Sequence, residues 1–291
     1  MRKFIPLLLV IFLCLPVTIY ATCEGAAATK QKNAWELGTE ISHITYKESG
    51  ISEKGLMNGV FGAYTYRGGL PLFSNELDRY MLRMEGKYSY GKLNYEGPLL
   101  LLLLDPKIKN IPDYMLEFRG LLGYDFFISK FKASTFTPYM CFGYRYLNDH
   151  VPKRSVYGYE RESNYFYSPI GLEVMTDLNH GWSWGANLEY DIFWWGEQVS
   201  HLSDISPLFN NPHNDQKKGY GIRGSIKIAK KCHKLDFIIE PFFRYWHIGD
   251  SKAATALGDL ILPTAILGFD TSIVEPKNSS TEFGMKLGVK F

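Results

Sequence analysis

Along most of this chain apolar and polar residues alternate with a period of two. Trp182, Trp184, Ala186, Leu188, Tyr190 and Ile192 are interleaved with Ser183, Gly185, Asn187, Glu189 and Asp191. In the same way Leu116, Phe118, Leu122 and Tyr124 oppose Glu117, Arg119, Gly123 and Asp125. Successive side chains of a strand point to opposite faces, so this pattern predicts strands with one face in an apolar medium and the other in a polar one. Ten segments carry it: 35–47, 58–67, 80–90, 114–127, 135–147, 165–176, 182–195, 220–229, 235–248 and 281–291. Each reaches the roughly 9–11 residues that a tilted strand needs to cross a bilayer.

The connections alternate as well. Segments 128–134, 177–181 and 230–234 are short and polar, whereas 91–113, 148–164, 196–219 and 249–280 are long. An even number of strands with both termini on one side produces this alternation of short turns and long loops. Two places fit less well. Segment 68–79 is long for a turn and 48–57 is short for a loop, so eight or twelve strands stay open as alternatives to ten.

Composition adds a medium to this pattern. The chain has 291 residues, 15% aromatic and 21% charged, a balance that suits a soluble all-β protein as well as a membrane barrel. The two ends separate these readings. Arg2 and Lys3 precede a nearly unbroken apolar run from Phe4 to Ile19, with small residues following near Ala21. That run is short for a membrane-spanning helix and reads as a secretory signal, with cleavage after Ala21 favoured over Ala26–Ala28. An uncleaved anchor is the alternative; lipidation of Cys23 is disfavoured because Tyr20, Ala21 and Thr22 lack the usual Leu and Gly or Ala. Residues 1–21 are thus expected to be a signal peptide, 22–33 a short periplasmic segment and 34–291 the barrel. At the other end Phe283, Met285, Leu287, Val289 and Phe291 alternate with Gly or Lys.

This ending resembles the C-terminal β-signal of bacterial outer-membrane proteins, the strand read by the barrel assembly machinery. The segments Arg119–Phe126, Thr137–Tyr146 and Glu240–Trp246 likewise resemble strands of small Gram-negative outer-membrane β-barrels, of the porin-like kind. The resemblance covers the whole mature chain and is one of style. It implies an all-β, closed antiparallel transmembrane barrel of about ten strands, with short periplasmic turns and long extracellular loops. It also implies export to the outer membrane, contact with outer-membrane lipid and lipopolysaccharide, and recognition of Phe291 by the assembly machinery. A monomer is expected. Fold alone leaves function open.

In such a barrel the polar face of each strand lines the lumen. Glu36, Glu40, Arg83, Glu85, Glu117, Arg119, Arg145, Glu173, Glu189, Asp191, Arg223, Glu240 and Arg244 would then meet inside. The whole-chain charge is only +2, so the signs nearly cancel. Charges held in a low-dielectric wall are costly unless paired, so a salt-bridge network plugging the lumen is expected. Open channels need about 16 strands. A narrow solute channel is the alternative.

Candidate chemistry is sparse. The architecture resembles that of the omptin proteases, which are ten-stranded, and His lies near Asp at several expected outer ends: His150 with Asp149, His201 with Asp204, His213 with Asp215 and His247 with Asp250. A carboxylate can orient an imidazole as a general base. The omptin Asp-x-His spacing is absent, however, and no opposing acidic pair is recognisable. A lipid-A-modifying site built on Ser42 and His43 fails because neighbours on a strand face opposite ways. No catalytic residue, metal ligand set or cofactor motif is therefore assigned, and no phosphate loop or basic nucleic-acid stripe is present. Cys141 should be a small filler of the lumen, and Cys23 and Cys232 share the periplasmic side, where a bridge could form. Two apolar runs stand out in the long loops. Leu101 and Leu103 belong to the six-leucine run 99–104, and Leu260, Leu262 and Ile266 to the run 260–267. Exposed apolar runs mark interaction surfaces, so these residues are the expected loop contact with lipid or a partner. Surface interaction or membrane support is the role this pattern favours, with a rim hydrolase as a further alternative.

Overall fold

Strands with one apolar and one polar face cannot leave an edge unpaired in lipid, so they must close on themselves. In the computed structural model they do. Residues 32–68, 79–97, 107–128, 134–151, 158–255 and 272–291 are described. Ten long strands form the wall: β1 Asn33–Glu48, β2 Ile51–Gly68, β3 Tyr80–Glu96, β4 Lys107–Tyr124, β5 Ser134–His150, β6 Glu160–Asp177, β7 Trp182–Ser200, β8 Gly219–Cys232, β9 Leu235–Ile248 and β10 Asn278–Lys290. Each is antiparallel to its neighbours in sequence, and β10 returns to β1 along the rungs Glu36↔Lys290 to Glu48↔Asn278. Reciprocal backbone hydrogen bonds of 2.9 Å between Trp35 and Phe291 fasten the seam at the periplasmic end.

The outer wall is apolar. Leu37, Leu56, Met84, Phe118, Leu188, Ile226 and Leu287 are all exposed on it. Two aromatic rings bound this belt. Trp35 with Tyr64 and Tyr80 with Tyr124, at 4.7 and 5.4 Å, belong to the periplasmic ring. Tyr114 with Tyr146, Phe166 with Trp195, and Tyr190 with Tyr220, at 5.5–5.9 Å, belong to the outer one. From Tyr80 to Tyr90 on β3, ten steps of about 3.3 Å at a tilt of about 40–45° cover about 25 Å, the height of an outer-membrane apolar band. A bilayer is the medium this surface fits.

The strands run past the outer ring, and there the two-residue code changes. Lys54, Lys92, Asn94, Glu162 and Glu197 face outward, so both faces are polar and the expected segments stop short of the real strand ends. Segment 48–57 is the clearest case. It is no loop, because β1 and β2 meet in a tight turn at Ser49 and Gly50, where Gly50 takes φ 75° as glycine readily does. Between β7 and β8 the chain folds back, and His213–Gln216 continues the ladder along Gly196–Val199. The expected long turn 68–79 falls mostly on residues 69–78, outside the described residues, and the expected signal segment and Cys23 lie outside them too. Cys232 is disulfide-bonded.

Candidate functional site: the charged lumen and its outer end

Rung by rung, the pairings put every acidic and basic residue expected inside the barrel on the inner face. Near mid-height they are interlocked across the lumen. Arg223 on β8 reaches β4, where it donates to both carboxylate oxygens of Glu117, at 2.5 and 3.0 Å. Its Nε donates to Asp191 at 2.6 Å, and Tyr167 donates to Glu117 at 2.7 Å. Arg119 bonds Glu189 across to β7 and lies 3.5 Å from Glu85. Arg244 joins Glu40 and Glu282 at 3.1 and 2.9 Å, and Lys87 lies 3.5–3.8 Å from Glu40, Glu282 and Glu117. A bidentate guanidinium–carboxylate pair is directional as well as strong, so these contacts define geometry and not merely neutrality.

Toward the periplasm a second tier follows. Arg83 and Arg67 share Glu173 at 2.7 and 2.6 Å, and Arg67 also bonds Asp125. Lys227 bridges Glu36 and Glu240 at 2.9 and 3.6 Å. Below it opens a vestibule of about 510 Å³, lined by residues including Arg67, Lys231 and Phe291. The cavity among the ion pairs measures only about 90 Å³.

Some positions depart from expectation. Arg145 is buried on the inner face, yet it sits over the Trp246 ring at 5.3 Å and makes no ion pair among the described residues. The aromatic residues are not confined to the lipid wall. Tyr165, Tyr167, Phe193 and Trp246 form a buried cluster inside the barrel. Their position is made possible by glycine: a Cβ on Gly143 would lie 2.2 Å from the Tyr167 ring. The pairing of large inward aromatics with inward glycines is the signal in the sequence that could have revealed them. Cys141 is exposed, not a lumen filler. It lies where the β5–β6 ladder skips from Met140↔Ile170 to Gly143↔Tyr167, opposite Pro169, which has no N–H to donate.

Three of the four rim histidines find glutamates and not the nearby aspartates, while His247 lies against the Tyr220 ring at 5.6 Å and Asp250 accepts from the Lys277 backbone. His150 pairs with Glu160 at 3.1 Å, His201 with Glu162 at 3.3 Å and His213 with Glu197 at 3.0 Å. Asp149 faces inward, away from His150, because adjacent strand residues alternate faces. Asp204 accepts from the Glu160 backbone and Asp215 from Trp195. The aspartates expected beside these histidines are thus engaged elsewhere.

At the outer end of the lumen the character changes. Arg161 reaches Glu48 at 3.1 Å, Asp149 at 3.4 Å and Glu275 at 3.6 Å. Burial pushes the Glu275 carboxyl up to about 7, against the pull of Arg161. Glu53, Asp113 and Asp149 converge beside them. Apart from Asp149, which the sequence offered only as a partner of His150, these residues escaped the sequence reading because they sit in segments expected to be loop, beyond the clean alternation. Leu101, Leu103, Leu260, Leu262 and Ile266 lie outside the described residues.

No family model matches the chain, and no curated protein matches it in sequence. Among solved structures it is similar to the outer-membrane protein OprG of Pseudomonas aeruginosa, at 11% identity over 89% of this chain and 95% of that one, with a TM-score of 0.35. It is similar also to the Pseudomonas putida toluene transporter TodX, at 9% identity over 90% of each chain and a TM-score of 0.35. With Neisserial surface protein A the identity is 13%, over 88% of this chain and 97% of that one, with a TM-score of 0.29. The closed ring of ten antiparallel pairings, with its apolar belt, makes this chain a small up-and-down barrel of the outer-membrane type.

Proposed function

We propose that the protein is an integral outer-membrane barrel whose lumen is blocked to solutes and which acts at its outer end, in surface interaction or membrane support. The observation that carries this reading is the set of ion pairs spanning the lumen, above all Arg223 of β8 on Glu117 of β4. The cavity beside them is small, about 90 Å³, against about 510 Å³ for the vestibule below. The competing reading is a narrow channel, which the periplasmic vestibule of about 510 Å³ favours. Recordings from the refolded protein in planar bilayers separate the two. Little or no steady conductance is expected, and a stable, reproducible open level of porin size would overturn the blocked-lumen reading. The loop runs around Leu101, Leu103, Leu260, Leu262 and Ile266 are the proposed contact with lipid, lipopolysaccharide or a partner. Phe291, at the periplasmic seam, is the proposed handle for the assembly machinery.

A further inference from the structure

We propose that Glu53, Asp113 and Asp149 form a binding site for one divalent, oxygen-preferring cation of the calcium type. The three residues come from β2, β4 and β5, and their carboxylate oxygens lie within 4.8 Å of one another. Calcium holds oxygen ligands at about 2.3–2.6 Å, so ligands on opposite sides of the ion are about 4.6–5.2 Å apart. The spacing fits such an ion, and a purely carboxylate set with no sulfur or imidazole selects against softer metals.

A second observation is independent of the grouping. Glu53 and Asp113 are only 3% and 7% exposed, yet among the described residues Glu53 Oε1 and Asp113 Oδ1 accept no hydrogen bond, and Asp149 has only Arg161 Nε, 3.4 Å from its Oδ2. Buried carboxylate oxygens are ordinarily satisfied by donors, and these are turned toward one another. They also line a cavity of about 60 Å³, shared with Tyr46 and Tyr165, which is large enough for an ion with a water or two.

Charge around the site points the same way. Among the described residues Arg161 is the cation that meets this group, and it is already divided between Glu48, Asp149 and Glu275. Glu53 and Asp113 make no ion pair among the described residues. The site lies at and beyond the outer aromatic ring, where Lys54 and Lys92 already face outward, so it belongs to the end of the barrel that would meet calcium outside the cell. The inference stands on this geometry whether or not the middle of the lumen conducts.

The test uses the whole mature chain refolded in detergent. Terbium, a luminescent stand-in for calcium, should give saturable emission excited through the tyrosines lining the cavity, and calcium should compete it away with a Kd at or below roughly 10⁻³ M. Glu53→Gln and Asp113→Asn should each weaken binding at least tenfold. Both amides relieve repulsion between carboxylates, so both variants should still fold and run fast on an unheated gel. Glu96→Gln, on the exposed outer surface, should bind like the parent. Calcium should raise the unfolding midpoint of the parent and leave those of the two amide variants unmoved. Absence of saturable binding by the parent overturns the proposal, as does equal binding by both amide variants. If shared protons hold the carboxylates together, calcium will not shift the parent's midpoint, and that result overturns it too.

Discussion

Arg223 is the most informative residue to remove. Its guanidinium donates to Glu117 twice, to Asp191 and to the Tyr167 hydroxyl, at 2.5–3.0 Å, and its side chain is only 5% exposed. Arg223→Met keeps a stem that can pack against Trp246 and Tyr167 but deletes the charge. Three acids are left behind and they fare differently: Glu189, 3.3 Å from Arg223, keeps Arg119. Glu117 keeps the Tyr167 hydroxyl at 2.7 Å and Lys87 at 3.8 Å, whereas Asp191 has no other cation within ion-pair distance among the described residues. Breaking a buried pair from one side costs about 3–5 kcal/mol, because a charge stays buried without its partner. A loss in that range is expected for the single variant. Adding Asp191→Asn removes part of the stranded charge, so the double variant should lose less than the sum of the singles, by about 1–3 kcal/mol. Urea titration of the refolded barrel, followed by tryptophan fluorescence and by the unheated gel band, measures both numbers. A single-variant loss below about 1 kcal/mol, with additive effects in the cycle, would refute the reasoning; the lumen would then be wet enough to screen its charges.

Gly143→Ala places a methyl against the Tyr167 ring, where the built Cβ meets ring atoms at 2.2 Å. Overpacking of this kind costs about 1–3 kcal/mol, and an unchanged urea midpoint would show that the ring can step aside. Replacing Leu101 and Leu103 together by Asp should abolish binding to lipopolysaccharide-containing vesicles while the barrel still folds and shifts on the gel. Binding equal to that of the parent would remove the loop from the proposed contact surface.

The alternation that sorts lipid-facing from lumen-facing residues is local, so it could be read from the chain directly. Leu188 and Tyr190 belong on one side and Glu189 and Asp191 on the other because each step along a strand reverses the side chain. Nothing more than the two media is needed to recognise that. The same property explains where the reading stopped. Past the outer aromatic ring both media are aqueous, the alternation loses its contrast, and Glu53 and Asp113 look like loop residues although they sit on strands. The inward aromatics were hidden for a related reason. Tyr167 and Trp246 have the chemistry of the lipid wall, and only their position in the ladder, with Gly143 making room for Tyr167, puts them inside.

Partnership across the lumen is a tertiary matter. Glu117 and Arg223 are separated by 106 positions, and their meeting depends on strand number, tilt and stagger at closure, none of which a strand carries by itself. Change the stagger and Arg223 would still face inward but opposite another layer. Arg145 shows the limit plainly: its inward orientation is a property of its strand, while its place over Trp246 instead of against a carboxylate was decided by which layer the closed barrel set before it. Which residues enter the lumen is thus local periodicity; which of them meet, and whether they block a path or leave three carboxylates to converge, belongs to the closed ring, because closure sets every cross-lumen distance at once.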